Sequence, residues 1–396
     1  RRSDAMRGLA RRLLLHGVRS ASTLATEPGR TLRVSGLTPR LVVKTNMETY
    51  LATVEATAAG KELDVGNWGT ASDGGDLRVE AACGSVTDGV TTVSVPASFN
   101  VEVDMAGSCD VEVSGWLEGT VSVTVSQGSI AVNTVRGLRT RLRTGQGDVR
   151  VQHIEGNLDV SAGCGSSGNV DLGKVMGEEV NIEAYGKVRC RALYAKDLCV
   201  WATGGMDVSV LESERAGVLA IGGGGSSSLG SCSGNLGVIL AGRSDVQLQL
   251  TDALRSLWVK GGPSAATVAV HLPESLVLDT SIRAAELELD PRLAPQQQRS
   301  KQTQGGPVEW GGTLGVRKEQ STRSLRRDRV SFMADSAATA SGPDPATAGT
   351  LPIADGKLDL DIQNGRVSVN VRSWFDQMKE AAELGTKAER RPQLYR

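Results

Sequence analysis

The chain has few aromatic residues and almost no histidine. Aromatics make up 3% of its 396 residues, and the whole sequence holds three histidines. Val, Ser and Gly dominate instead, which favours short strands with tight corners over long helical cores. Outside the N-terminal stretch only His153 and His271 remain, and these leave little material for a Ser-His-Asp or Cys-His mechanism. We therefore predict that the protein is not an enzyme.

The sequence also has almost no net charge, no C-x-x-C motif and no long apolar run. The formal net charge is −1, so no global field favours nucleic acid or an anionic membrane, and no DNA partner is expected. The six cysteines form no C-x-x-C pair, which argues against a zinc site or a disulfide scaffold. We expect no metal and no cofactor. The sequence contains no run of about 18 apolar residues, so no transmembrane segment is predicted.

The N-terminus differs from the rest of the chain. Residues 1–28 are rich in Arg and Ser, and no acid occurs between Met6 and Glu27. This composition is typical of an organellar transit peptide, mitochondrial more often than plastid, so the matrix is the predicted location and the chloroplast the lesser alternative. A basic tail without a targeting role is the simpler interpretation of the same residues.

A repeat of about 17 to 21 residues runs between Leu117 and Leu254, with units such as RGLRTRLRTGQGDVRVQHI and EGNLDVSAGCGSSGNVDLGKV. Each unit holds an alternating strand, a Gly-containing corner and a second alternating strand. One unit has too few apolar side chains to bury a core, whereas stacked units form a continuous one. We predict an all-β fold, a single-stranded right-handed β-helix or β-solenoid of short strands, over residues 31–290.

The C-terminal third changes in composition twice. Residues 291–350 are rich in Gln, Ser, Ala and Arg and predict a mostly disordered insertion, in which only GPVEWGGTLGV looks ordered. Residues 351–385 predict a hairpin or rung, GKLDLDIQNGRVSVNV, followed by a short helix after Ser373 that caps the open solenoid end. Residues 386–396 are expected to form a disordered tail.

Aligning the corner glycines 128, 147, 168, 186 and 205 predicts which side chains stack between turns. The inward set on the following strand is Ile130, Val149, Val170, Val188 and Val208. The next inward set is Val132, Val151, Leu172, Cys190 and Val210. The preceding strand gives Val125, Thr144, Ala162, Ala184 and Ala202. Nearly all members are aliphatic, which supports the alignment.

The outward positions predict charged neighbours. They are Ala131, Arg150, Asp171, Arg189 and Ser209. Because stacked strands lie about 4.8 Å apart, Asp171 should lie between Arg150 and Arg189. On another face, Arg141 should neighbour Asp159.

One basic surface stands out as a candidate interaction face. In the stretch from Leu138 to Arg143, arginines alternate with Leu138, Thr140 and Leu142, so their guanidinium groups should face one side. The candidate face is Arg139, Arg141, Arg143, Arg150, Arg189 and Trp201. It would bind an acidic protein, RNA or an anionic lipid headgroup. The alternative is a solvated strand face neutralised by neighbouring carboxylates.

Two further patterns suggest chemistry. GCGSSG at residues 163–168 matches a dinucleotide fingerprint, but a strand follows it where that motif needs a helix, so we interpret it as a corner. Acidic residues alone could support glycoside cleavage on a β-helix, and a divergent carbohydrate-active enzyme is the alternative function. No pair of carboxylates in the sequence stands out for that role.

The run VPASFNVEVDMAGSCDVEVSGWLEGTVSVTVSQGSIAVNTVRG (residues 95–137) resembles the putative adhesin domain family, whose members repeat VP-x-x-(Y/F)-N-V, G-x-V-x-V and x-L-x-G. The resemblance extends to about residue 260. With the leader and the terminal SWF element, the chain is similar to the uncharacterised mitochondrial branch of that family. The resemblance implies a right-handed solenoid without catalytic residues. We expect a binding or scaffold protein whose protein partner is unknown.

Overall fold

The structure is a computed structural model that describes residues 22–25, 29–36, 38–46, 51–58, 61–62, 69–73, 76–81, 89–164, 167–262, 264–293, 299–302, 307–315 and 356–372. Every regular element in these ranges is a β-strand. The first ten are β1 (Ser22–Ala25), β2 (Thr31–Gly36), β3 (Arg40–Asn46), β4 (Leu51–Ala58), β5 (Lys61–Glu62), β6 (Gly69–Asp73), β7 (Asp76–Ala81), β8 (Gly89–Pro96), β9 (Asn100–Ser108) and β10 (Asp110–Leu117). The next eight are β11 (Val121–Gln127), β12 (Ile130–Gln146), β13 (Val149–Ala162), β14 (Val170–Ala184), β15 (Val188–Ala202), β16 (Met206–Ile221), β17 (Ser226–Leu240) and β18 (Asp245–Gly261). The last five are β19 (Thr267–Pro273), β20 (Leu278–Leu289), β21 (Arg299–Gln302), β22 (Val308–Leu314) and β23 (Gly356–Arg372).

Strands β12 to β18 form the centre of a solenoid. Each pairs in parallel with the next along its length, so one turn of the coil, a rung, stacks directly on its neighbour. This confirms the predicted all-β, solenoid-like architecture. The strands are longer than expected, up to 17 residues in β12, because the ladder hydrogen bonds continue through the bends of each rung. The right-handed sense of the coil stays a prediction.

The predicted inward register is correct for four of its five rungs. Ile130, Val149, Val170 and Val188 stack in order and are fully buried. The fifth member is Met206, whereas Val208 stacks on Cys190 two residues further along. The prediction was wrong by two residues for two reasons. Gly204, not Gly205, takes the corner position, since its N–H donates a 2.9 Å hydrogen bond to the Gly186 carbonyl. The inward residue also follows the corner glycine by two residues, as in the other rungs, whereas Val208 follows Gly205 by three.

Corners are held by glycine and by a polar residue after it. Gly147 has φ +142°, and a Cβ there would collide with the carbonyl of Gly128 in the rung below, so only glycine fits. After two of the corner glycines, Gly147 and Gly168, the next residue accepts a hydrogen bond from the following rung through its side chain. Asp148 Oδ1 accepts the Asn169 N–H at 2.9 Å, and Asn169 Oδ1 accepts the Lys187 N–H at 3.0 Å. These bonds satisfy backbone donors at the bend.

At the N-terminal end, an early rung is inserted between two later ones. β2 pairs with β9 on one side and with β7 on the other. β3 likewise lies between β10 and β8. The rung formed by β2 and β3 therefore separates two rungs that are consecutive in the sequence.

The C-terminal end repeats this arrangement with β23. β23 pairs in parallel with β18 and β19 on one side and with β20 on the other. Its inward residues, Leu358, Leu360, Ile362, Val367, Val369 and Val371, are at most 3% exposed. Asn364 and Gly365 form a bend within this rung, where Arg366 N–H bonds the Ala266 carbonyl at 2.9 Å. β23 is therefore one rung of the stack.

Antiparallel strands cover both ends of the stack. β4 pairs antiparallel with β8, and β1 with β4. At the other end β22 pairs antiparallel with β20, and β21 with β22. Trp310 in β22 is 4% exposed, so β22 contributes to the core as well as closing it. These strands protect edges that would otherwise pair with another chain.

Several predictions fall outside or at the edge of the described residues. The capping helix after Ser373, the tail 386–396 and residues 316–350 of the insertion lie outside them. Inside the range 291–350 the structure describes two strands, β21 and β22, and β22 lies within GPVEWGGTLGV. β1 lies within the range predicted as a leader. No helix within the described ranges is long and apolar enough to cross a membrane.

Candidate interaction face

The six residues predicted to form one interaction face lie on two different faces of the coil. Arg150 and Arg189 belong to the strand stretches stacked on residues 130–132, here named the 130–132 face. Residues 139–144 and the stretches of later rungs that stack on them form a second face, here named the 139–144 face. Arg139, Arg141 and Arg143 lie on it, and Trp201 lies on it three rungs beyond Arg143. A bend at Gly137 and Leu138 separates the two stretches within one rung.

On the 130–132 face the outward charges alternate in sign. Asp171 lies between Arg150, at 4.0 Å, and Arg189, at 3.6 Å, as predicted. The fifth member is Asp207 where Ser209 was expected, because of the register correction above, and it pairs with Lys187 at 2.6 Å. This column is therefore neutralised along its length and is not a basic surface.

On the 139–144 face one carboxylate binds two arginines. Asp159 Oδ2 accepts hydrogen bonds from Arg141 Nε at 3.1 Å and Arg143 Nη2 at 3.3 Å, which confirms the predicted Arg141–Asp159 neighbours. Such partly exposed pairs are worth on the order of 0.5 kcal/mol each. Arg139 makes no ion pair with any residue the structure describes. The cationic charge available to an anionic ligand is therefore smaller than the sequence suggests.

Leu138 does not face inward as the alternation predicted. It is 85% exposed. Pairing with β13 shifts between Arg136 and Arg139, because β12 has one more residue at this bend than the next rung. The extra residue makes a bulge, and Leu138 projects from it into solvent.

Further along the 139–144 face the outward side chains become apolar. Trp201 stacks on Ala220 and then Ile239 in one column. In the adjacent column Val218 is followed by Gly237 and Trp258. We name Trp201, Val218, Ala220, Ile239 and Trp258 the apolar patch. Ile239 is 39% exposed and the others are half-buried, so four successive rungs present apolar side chains to solvent.

Aromatic contacts fix the edges of the apolar patch. Tyr185 meets Trp201 edge to face, with ring centroids 4.9 Å apart. The Trp258 indole lies over Gly237, where any Cβ would collide with it, and Lys260 Nζ lies 5.9 Å from the Trp258 ring centroid. Trp201 is therefore held by Tyr185, and Trp258 by the space that Gly237 leaves, which lowers the entropy that either would lose on binding.

One charge of each sign borders the patch. Glu183 stacks next to Trp201 on one side, and Lys260 next to Ile239 on the other. Neither forms an ion pair with a described residue. The Cys164 thiol, burial and Glu183 together raise the pKa of the Tyr185 hydroxyl. Glu183 thus lies close to the aromatic pair at the patch edge.

The sequence offered a signal for this patch that register analysis missed. In most rungs the outward positions of the strand are polar, whereas AGVLAI (216–221) and LGVIL (236–240) are apolar on both faces. The last two repeat units deviate from the spacing of the others. Without a register, their outward residues could not be separated from core residues.

The residues considered for chemistry are held in structural roles. His153 Nε2 lies 2.8 Å from Glu155 Oε1, and this hydrogen bond, with the nearby Arg136, lowers the pKa of Glu155. Burial raises the pKa of the Cys109 thiol to about 11 and that of Cys190 to about 12. Among the described residues, no cluster of His, Cys, Asp and Glu is arranged to hold a metal ion.

Comparison with known proteins yields weak likenesses. No family model matches the chain, and no curated protein matches it. A solved structure of a putative adhesin from Bacteroides fragilis is 11% identical over 64% of this chain and 98% of its own length, with a TM-score of 0.32. A putative cell adhesion protein from Clostridium sporogenes is 9% identical over 90% of this chain and 100% of its own, with a TM-score of 0.15. At these TM-scores the likenesses carry no argument about function.

Proposed function

We propose that this protein is a non-enzymatic binding module of the mitochondrion that holds a protein partner against the apolar patch. One observation carries the proposal: Trp201, Ile239 and Trp258 face solvent on a coil whose other outward columns are largely polar. Contiguous exposed apolar surface marks interaction sites, and Trp and Tyr are enriched where binding energy concentrates.

The electrostatics favour a protein over a polyanion. Asp159 forms ion pairs with Arg141 and Arg143, and Asp171 forms ion pairs with Arg150 and Arg189. RNA or an anionic lipid would have to displace these carboxylates to reach the guanidinium groups. Both therefore remain secondary predictions for the arginines, while the apolar patch is the primary contact surface.

The ionisation of the carboxylates supports a role outside catalysis. Glycoside cleavage needs a carboxylic acid whose pKa is raised so that it can protonate the leaving oxygen. The carboxylates with clear shifts, Glu155, Glu178 and Asp290, all have a lowered pKa, chiefly through hydrogen bonds from His153, Lys196 and Arg292. The carbohydrate-active alternative thus lacks a candidate acid among these three.

The mitochondrial location and the family assignment are supported by the sequence. Residues 1–28 have the composition of a transit peptide, and residues 95–137 carry the repeat motif of the putative adhesin family. A fluorescent protein fused to residues 1–28 tests the location separately from the binding function: matrix import supports it, and diffuse fluorescence contradicts it.

Proximity labelling with the full chain tests the binding function. Trp201→Ser with Ile239→Ser should remove the labelled partners, while Arg139→Ala with Arg141→Ala and Arg143→Ala should leave most of them. Leu138→Ser with Met176→Ser is the matched control, because both residues are exposed and apolar but lie outside the patch. Identical partners for the wild type and the patch variant would contradict the proposal.

A further inference from the structure

We infer that the apolar patch is covered by a second copy of this chain, packed face to face. The two copies are related by a two-fold axis that runs along the strands at Ala220, so their rungs stack in opposite directions and the copies are antiparallel in this sense. The inference rests on the proposed function, since it names the occupant of the same patch. It follows from how the residues of the 139–144 face are ordered along the coil.

The column through Ala220 is self-complementary in charge. In order it reads Glu183, Trp201, Ala220, Ile239 and Lys260. A two-fold axis at Ala220 places Glu183 of one copy opposite Lys260 of the other, and does so twice. Within one copy these two residues are four rungs apart, about 19 Å, so they cannot pair with each other. Glu183 makes no ion pair with a described residue of its own chain, and Lys260 stacks on Asp361 without forming one. An antiparallel second copy brings Glu183 and Lys260 opposite each other.

The same axis pairs the large apolar side chains. Trp201 of each copy lies opposite Ile239 of the other, on either side of the two facing Ala220 residues. A small residue at the centre lets the two sheets approach closely, while Trp201 and Ile239 fill the space beside it. Sheets packed face to face keep their strands within about 30° of each other, so these central contacts persist in a twisted arrangement.

Three rungs from the axis, in the column of Val218, Asp159 of one copy falls opposite Asp359 of the other. Asp159 already binds Arg141 and Arg143 in its own chain, so its negative charge is neutralised before the two copies meet.

The charges four rungs from the axis are compatible with this packing. Arg139, which makes no ion pair with a described residue, lies two columns from the Ala220 column and falls opposite Asp279 of the second copy. Arg143 falls opposite Arg283, but each is already paired in its own chain, with Asp159 at 3.3 Å and Glu309 at 3.4 Å. The like charges are therefore neutralised before the two copies meet.

The available surface is of the right size for a dimer. The face from Arg143 to Glu309 spans nine rung steps, about 43 Å. With strand stretches of about 17 Å, each copy offers on the order of 700 Å², close to the roughly 800 Å² per partner of a standard interface. Growth beyond two copies is not expected, because a two-fold contact closes on itself and β4 and β22 cover the ends of the stack.

Sedimentation velocity of the full chain tests this inference. The wild type should sediment as a dimer at tens of micromolar. Glu183→Lys and Lys260→Glu should each weaken dimerisation at least tenfold, because each brings two pairs of like charges together. The double variant should restore the dimer, which a general loss of folding could not produce. Glu212→Lys and Arg191→Glu, exposed charges on other surfaces, should leave the dimer intact.

The other outcomes separate the inference from the proposed function. A monomeric wild type whose labelled partners are lost on Trp201→Ser would overturn the dimer and leave the binding function standing. A dimer insensitive to both charge variants would place the contact elsewhere and also overturn the inference. A full chain that dimerises only after Trp374→Ser and Phe375→Ser would assign the patch to residues 373–396 of the same chain, again against a second copy.

Discussion

The backbone N–H of Val371 donates a 3.2 Å hydrogen bond to Oδ2 of Asp290, a residue 81 positions earlier in the chain. Arg292 binds the same carboxylate and donates to the Val371 carbonyl at 2.5 Å. Together these bonds tie the end of β20 to the end of the inserted strand β23. The hydrogen bonds from Arg292 hold the pKa of the Asp290 carboxyl well below its usual range.

Replacing Asp290 by Asn should destabilise the fold in a pH-dependent way. Asn keeps one acceptor but loses the charge, so we expect a cost of about 1–2 kcal/mol at pH 7. A lowered folded-state pKa gives stability that is present above the unfolded pKa of about 3.9 and is lost as pH falls. The difference between wild type and Asp290→Asn should therefore shrink below about pH 4. Urea unfolding at pH 7 and pH 3 measures it, with Glu212→Gln as control; a difference that grows at low pH would contradict this role.

Cutting the chain between β22 and β23 should not release β23. Because β23 lies between β18 and β19 on one side and β20 on the other, its removal would open the core at Leu360 and Val369. A protease site placed at residues 335–340 allows a single cut. We expect the two fragments to elute together under native conditions and to separate only in denaturant. Native loss of the fragment from residue 356 onward would show that β23 is not part of the stack.

The sequence predicted which side chains point inward but not which rungs are neighbours. Alternation identified Ile130, Val149 and Val170 because solenoid turns of similar length place equivalent residues in register. The alternation in GKLDLDIQNGRVSVNV likewise indicates a rung. This alternation does not show which strands lie beside β23, because β23 pairs with residues about 80 to 100 positions earlier in the chain.

Alternation also could not predict on which face of the coil each arginine of the candidate interaction face lies. A period of two separates inward from outward residues, yet it does not say on which face of a bent rung an outward residue lies. Arg150 and Arg141 are both outward, and only the bend at Gly137 places them on different faces. Two adjacent glycines, Gly204 and Gly205, left the last corner ambiguous until a hydrogen bond selected Gly204.

Two buried threonines of β12 should respond oppositely to the same substitution. Thr140 is fully buried and its hydroxyl has no hydrogen-bond partner among the described residues. Thr144 is 3% exposed, and its hydroxyl donates to the Gly128 carbonyl at 2.7 Å. Thr140→Val should stabilise the fold by about 1 kcal/mol because it removes an unsatisfied polar group. Thr144→Val should cost about 1 kcal/mol.

Thermal or urea unfolding of the two threonine variants provides the measurement. The shape change is identical in both, so each variant serves as the control for the other. Equal shifts in the same direction would show that hydrogen bonding at the bend does not distinguish the two sites.

Alkylation of Cys199 by a maleimide, followed by mass spectrometry, tests most directly whether the apolar patch is a covered surface. Cys199 is exposed and stacks directly on Val218 of the patch, whereas the exposed thiol of Cys164 lies against Tyr185 at the patch edge and is not an independent reference. Cys109, Cys190 and Cys232 are buried, with thiol pKa values raised to about 11, 12 and 12, and should not react in the native state. We predict that the Cys199 rate, relative to its rate in the Glu183→Lys variant at the same concentration, falls at least tenfold as the full chain is concentrated from nanomolar to tens of micromolar. A constant ratio over this range would contradict the claim that a second copy covers this face.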